Sequence, residues 1–146
     1  MEECIVPFDK SKYTMITSLL LIIPSIYSYY CQLYLYALVL LITSVISANY
    51  WRKATDGWRR ILDLICAKAT FLLFAFAGLW YVRDSAHAIA GYTILILLCY
   101  VYYKSHSYYK NKDKHNEWLK YHTLFHILSC FEFMIIIDSI YNYTKI

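Results

Sequence analysis

Long apolar stretches separated by short polar segments dominate the chain. A helix needs about 20 apolar residues to cross a bilayer, and the apolar stretch 13–50 is roughly twice that length. It therefore predicts two helices joined by a turn at 28–32, with Pro24 kinking the first helix without abolishing it. The full pattern predicts an all-α, five-span transmembrane helical bundle that forms a single domain over 1–146, with spans at about 13–28, 33–50, 61–81, 86–103 and 118–140.

Composition supports a membrane-embedded protein. Hydrophobic residues make up 60% of the chain and aromatic residues 19%, whereas Gly and Pro are scarce, which excludes fibrous and disordered classes. The five cysteines are scattered without a Cys-x-x-Cys pair, so neither a disulfide framework nor a thiolate zinc knuckle is expected. We expect an integral, multi-pass membrane protein whose partner is membrane lipid and not nucleic acid.

The basic residues predict the orientation. Most Lys and Arg side chains fall before the first span, in the loop 51–60 or between 104 and 120, and only Arg83 and Lys145 fall on the opposite side. Loops rich in Lys and Arg face the cytoplasm. The N-terminus is therefore predicted to be cytoplasmic.

His122 and His126 are the two histidines that enter an apolar run at helical spacing. Residues four apart lie on one face of a helix about one turn apart, so both imidazoles could reach a single ion or partner. Ionisable groups inside a bilayer normally face the bundle interior and often mark a site. The alternative is that the two rings only hydrogen-bond to neighbouring Ser and Tyr hydroxyls.

The predicted topology brings two further side chains to the depth of this histidine pair. Ser47 lies about one turn before the cytoplasmic end of the second span, and Asp63 lies in the first turn of the third. Two neutral histidines with a carboxylate or a water can hold zinc, which could activate a bound water for hydrolysis. Alternatively, Asp63 pairs with Arg59 or Arg60, and Ser47 is a helix-packing hydroxyl.

At these residues the chain resembles the superfamily of membrane hydrolases that includes alkaline ceramidases and the adiponectin and progestin receptors. Its members have Ser-x-x-x-His near the end of one helix, an Asp about a dozen residues later and His-x-x-x-His in the last helix. Here Ser47-Ala48-Asn49-Tyr50-Trp51, Asp63 and His122-Thr123-Leu124-Phe125-His126 follow that order. The resemblance implies a metal-dependent lipid amide hydrolase, with zinc on His122 and His126 and with Asp63 and Ser47 serving the bound water.

The chain departs from this superfamily in two respects. Trp51 stands where the first zinc-binding histidine is expected, and we count five spans where the superfamily has seven. These departures favour the alternative of a non-catalytic membrane protein in which the same residues form a structural polar network or a lipid-binding cavity. A third hypothesis is a small oligomeric channel lined by Lys68 and Glu132.

Overall fold

The computed structural model describes residues 4–145, except for the side chain of Lys112, and it is almost entirely helical. Two short strands, β1 (Cys4–Val6) and β2 (Ala54–Thr55), pair antiparallel. The prediction of an all-α bundle is confirmed. The helices are α1 (Phe8–Ser18), α2 (Ile22–Tyr30), α3 (Tyr34–Arg52), α4 (Trp58–Tyr81), α5 (Ser85–Tyr109) and α6 (His115–Thr144), with 3-10 turns at Leu19–Leu21 and Lys112–Lys114.

Four helices of the described chain, α3 to α6, are long and apolar enough to cross a membrane. They give the chain the make-up of a multi-pass membrane protein. The first predicted span, 13–28, falls on α1 and α2, which run on from one another through the turn Leu19–Leu21. The cytoplasmic position of the N-terminus stays a prediction.

The break between α1 and α2 lies one turn before Pro24. Proline has no amide hydrogen, so the carbonyl of Leu20, four residues earlier, loses its helical partner. The thiol of Cys130 on α6 donates to this carbonyl at 3.5 Å, and the hydroxyl of Ser44 on α3 donates to the Ser18 carbonyl at 3.0 Å. Neighbouring helices thus satisfy the backbone groups at the break, as a low-dielectric environment requires.

The connection between α2 and α3, residues 31–33, overlaps the turn predicted at 28–32 and is a tight helix-terminating turn. The amide of Leu33 donates to the Ser28 carbonyl at 2.9 Å, and the amide of Gln32 donates to the Tyr29 carbonyl at 3.0 Å. This pair of bonds is a Schellman motif, which places Gln32 in the left-handed region. Its φ is 62°, a value that glycine adopts more readily.

Helix α6 is the centre of the bundle. Helices α1, α2, α4 and α5 all pack against α6, and α5 makes the most extensive contact. Helix α3 packs against α1, α2 and α4. Its buried residues Phe133, Ile136 and Ile137 join a core that includes Leu40 of α3 and Phe74 of α4. Helices α4 and α5, although consecutive in the chain, make few contacts with each other.

Candidate functional site

His122 and His126 lie one above the other on α6 with their rings in contact. The ring centroids are 4.8 Å apart and the planes are nearly perpendicular, at 85°. His126 is buried, and His122 is partly buried. The i, i+4 spacing therefore brings the two imidazoles together, as the helical periodicity requires.

Each imidazole faces a hydroxyl on a different neighbouring helix. The Nδ1 atom of His122 lies 3.3 Å from the Oγ of Ser105 on α5, and Nδ1 of His126 lies 3.3 Å from the Oγ1 of Thr17 on α1. One turn from His126, Thr123 shares a hydrogen bond of 3.0 Å with Thr14 of α1. This arrangement is close to the hydroxyl alternative considered from the sequence, with Ser and Thr as the partners.

Trp51, at the end of α3, fills the space beside His122. Its side chain is 0% exposed, and its ring centroid lies 4.7 Å from that of His122 and 5.2 Å from that of Trp118. The Ser11 hydroxyl donates to the Trp51 carbonyl at 2.9 Å, which fixes α1 against the end of α3. An indole therefore occupies the side of the pair where the superfamily resemblance expects a third imidazole.

The indole nitrogen of Trp51 is a donor without an acceptor. Within residues 4–145, Nε1 is buried and has no hydrogen-bond partner. Indole N–H groups usually find a partner when they are buried. Trp51 thus fills the space beside His122, but no acceptor lies opposite its indole N–H group.

Asp63 and Ser47 lie together on the facing sides of α4 and α3. Both are buried, and the Ser47 hydroxyl lies within hydrogen-bonding reach of the Asp63 carboxylate. The alternative in which Asp63 pairs with Arg59 or Arg60 is wrong, because Asp63 forms no ion pair among the described residues and Arg60 bonds Asp56 at 2.9 Å. Asp56 and Arg60 are four apart and share an exposed face, whereas Asp63 points inward.

Among the described residues, no group of three His, Cys, Asp or Glu side chains converges so that it could hold a metal ion. Asp63 therefore does not complete a three-residue ligand set with His122 and His126, and its predicted role beside a bound water stays a prediction. Position in the sequence predicts how far along a helix a residue lies, but not which neighbouring helix its side chain faces. Zinc bound by the two histidines with other ligands stays a prediction.

A second polar cluster, at the opposite end of the bundle, was missed by the sequence analysis. The imidazole of His87 has Nδ1 3.0 Å from Asp84 and Nε2 3.2 Å from Asp138. Asp138 also accepts from the Tyr27 hydroxyl at 2.7 Å and from the Asn142 amide at 2.9 Å. The signal was available, because Asp84 lies three residues before His87 at a predicted helix start, the position of an N-cap.

The electrostatics of this cluster are clearest at Asp84, which lies in the loop before α5. Its Oδ2 accepts from the backbone amide of His87 at 2.9 Å and caps the helix. Hydrogen bonds from the amide and the ring of His87 lower the pKa of the Asp84 carboxyl below its usual value. This carboxylate thereby ties the start of α5 to His87, and through it to α6.

Lys68 and Glu132, the proposed channel residues, do not form an ion pair in the described part of the chain. Lys68 is exposed on α4, whereas Glu132 is buried on α6. The two side chains therefore do not line a common path within one copy of the chain.

The resemblance to the hydrolase superfamily, drawn from the order of Ser47, Asp63, His122 and His126, stays a prediction. No protein-family model, curated protein or solved structure matches the chain.

Proposed function

We propose that the protein is a non-catalytic multi-pass membrane protein in which His122 and His126 belong to a structural polar network. The network joins α6 to α1 through Thr14 and Thr17 and to α5 through Ser105. Interhelical hydrogen bonds of this kind associate helices where no hydrophobic driving force exists between helix and lipid.

The packing of Trp51 against His122 is the observation that carries this proposal. A catalytic zinc usually has three protein ligands and an open position for water. An indole supplies no ligand, and the fully buried ring of Trp51 lies where a third imidazole is expected. Each Nδ1 already faces a hydroxyl, so both histidines have a role that needs no metal.

Metal analysis of the full chain, purified in detergent and dialysed against a weak chelator, tests the proposal. We expect no stoichiometric transition metal in the wild type. We also expect the His122→Ala, His126→Ala variant to unfold at a lower temperature, because Ser105 and Thr17 lose their hydrogen bonds to the imidazoles. Near-stoichiometric zinc that is absent from this variant would overturn the proposal.

That contrary result would favour the second candidate function, a metal-dependent lipid amide hydrolase. One observation supports it. The two rings meet at 4.8 Å on one face of α6, so a single ion could reach both imidazoles. A zinc-loaded wild type should then release fatty acid from a long-chain amide, and Asp63→Asn should reduce that release while metal content is retained.

A further inference from the structure

A cavity of about 120 Å³ lies between α4 and α5, with α6 as its floor. Because α4 and α5 make few contacts with each other, the cavity is open on the outer side of the bundle. In a membrane that side faces lipid. We call it the Glu132 groove, and its principal lining residues are Phe71, Ala75, Gly78, Gly91, Leu95 and Glu132.

Glu132 is the one carboxyl among the residues that line this groove. It is 7% exposed, and its Oε2 is buried without a hydrogen-bond partner in the described chain. Gly91 leaves room beside it, since a Cβ there would lie 3.7 Å from Oε1. Buried carboxyl groups without partners are costly and rare in native proteins. A polar group of a bound molecule could therefore satisfy the Glu132 carboxyl.

The groove is separate from the histidine pair. Glu132 is six residues beyond His126 on α6, which corresponds to about 9 Å along the helix axis. It lies about 12 Å before Ile140, the predicted end of the span, so its carboxyl is in the hydrocarbon region of the half opposite the histidines. A molecule bound in the groove would therefore not depend on the role of His122 and His126.

The size and polarity of the groove select its occupant. The cavity holds only about 120 Å³, and apolar side chains form most of its walls. A buried water needs two to four polar partners, and the lining is otherwise apolar apart from the Tyr92 ring. The end of a slender amphiphile fits, with the rest of its chain leaving through the open side.

We propose that the Glu132 groove binds an uncharged single-chain lipid alcohol, with its hydroxyl on Glu132 and its alkyl chain on the walls formed by α4 and α5. A hydroxyl donates to a carboxylate and accepts from a carboxylic acid, so it pairs with either form of Glu132. An ammonium head group would add its own cost of desolvation at this depth. The hydroxyl is therefore the better match for an isolated carboxyl in hydrocarbon.

Equilibrium binding of radiolabelled hexadecanol to the full chain in phosphatidylcholine nanodiscs tests this assignment. We expect saturable binding at a single site. Glu132→Leu should weaken the affinity roughly three- to twenty-fold, the range measured for hydrogen bonds within membranes. Glu132→Gln, which still donates and accepts, should stay within about twofold of the wild type. Equal binding by wild type and Glu132→Leu would overturn the proposal.

A pair of variants that leave the carboxyl unaltered tests whether a loss of hexadecanol binding comes from misfolding. Gly91→Leu places a large side chain beside Glu132, and Ala90→Leu places the same side chain on the neighbouring exposed position of α5. We expect only Gly91→Leu to abolish saturable binding. Equal loss in both variants, or in neither, would contradict the assigned location.

Two further probes test the chemistry of the head group. Hexadecane has the same chain without a hydroxyl, and hexadecylamine replaces the hydroxyl by an ammonium. We expect hexadecane not to compete with hexadecanol and hexadecylamine to compete more weakly than unlabelled hexadecanol. Competition by hexadecane would show that Glu132 is not used, and stronger competition by hexadecylamine would overturn the choice of an alcohol.

Discussion

The indole ring of Trp51 packs against the imidazole of His122, with their centroids 4.7 Å apart. Replacing Trp51 by histidine would therefore place a third imidazole beside His122 and His126, the number of protein ligands that catalytic zinc sites use. We expect Trp51→His to retain near-stoichiometric zinc after dialysis, measured by elemental analysis. Without metal the variant should be less stable, by less than the about 3–5 kcal/mol typical of replacing a buried Trp by Ala, because the imidazole refills part of the space.

Trp51→Phe is the control for this substitution. It removes the indole and introduces no metal ligand, so we expect no zinc. Adding His126→Ala to Trp51→His should abolish zinc retention. Equal zinc in the histidine and phenylalanine variants would mean that position 51 does not adjoin a metal-binding pair.

The hydrogen bond between Thr14 of α1 and Thr123 of α6 can be measured by a double-mutant cycle. Thr→Val keeps the shape and removes the hydroxyl. We expect a coupling of about 0.6 kcal/mol and no more than about 1.7 kcal/mol, as for other interhelical bonds in membranes. Reversible unfolding in mixed micelles gives the four free energies of unfolding.

The matched pair for this cycle is Thr43 of α3 with Thr70 of α4, whose hydroxyl oxygens are 2.7 Å apart. It has the same chemistry outside the histidine network. Adding His126→Ala should change the Thr14–Thr123 coupling and leave the Thr43–Thr70 coupling unchanged. No change in either would argue against a connected network.

Asp84 makes the stability of the bundle depend on pH. Its pKa is lower in the folded chain than in the unfolded chain because His87 donates to the carboxylate. A lowered pKa in the folded state gives stability that is present above the unfolded value and is lost as the pH falls through the folded value. We expect Asp84→Ala to lower the unfolding temperature at pH 7 and to have little effect at pH 2.

Asp113→Asn serves as the control for charge alone. Asp113 is exposed in the segment between α5 and α6, and its backbone amide, which this variant retains, donates to the Asn111 side chain. We expect no comparable pH-dependent difference from the wild type. An effect of Asp84→Ala that is as large in acid as at neutral pH would assign it to packing and not to the carboxylate.

Gln32 adopts a left-handed backbone, with φ of 62°, and its side chain is exposed. Glycine takes this conformation without strain between Cβ and the backbone. Gln32→Gly should therefore raise the free energy of unfolding by about 0.5–1 kcal/mol. Gln32→Val should lower it, because β-branched residues strongly disfavour positive φ. Stabilisation by both substitutions would contradict a backbone explanation.

Glu132→Leu has opposite expected effects on stability and on binding. Removing a buried carboxyl without a partner should raise the free energy of unfolding of the ligand-free chain by about 1–3 kcal/mol. Glu132→Gln keeps an unpaired polar group and should be close to neutral. Destabilisation by Glu132→Leu would instead give Glu132 a structural role.

The helices could be predicted from the sequence because a bilayer dictates their length and composition. Helices α3 to α6 overlap the predicted spans, and the turn at Gln32 lies where the apolar run had to fold back. Pro24 predicts a kink in the first helix, and the 3-10 turn Leu19–Leu21 lies one turn before it. The bonds from Cys130 and Ser44 to the carbonyls at this break could not be predicted, because these residues are close only in the assembled bundle.

The candidate site was predicted less well. The sequence predicts the position of a residue along its own helix, but not which residues of other helices it contacts. The His122 and His126 rings meet because their spacing is local. The partner of His126 is Thr17, 109 positions away, and no local pattern signals such a pairing. Asp63 lies beside Ser47, but it does not complete a set of metal ligands with the two histidines.

The gap between α4 and α5 means that this chain does not enclose itself completely. In a membrane, acyl chains or the proposed lipid alcohol would supply the missing wall where those two helices diverge. The membrane is then a structural component on that side as well as a solvent. Extraction into a short-chain detergent replaces that wall with different molecules, so the region around Gly91 should respond to the choice of detergent more than the region around Leu40.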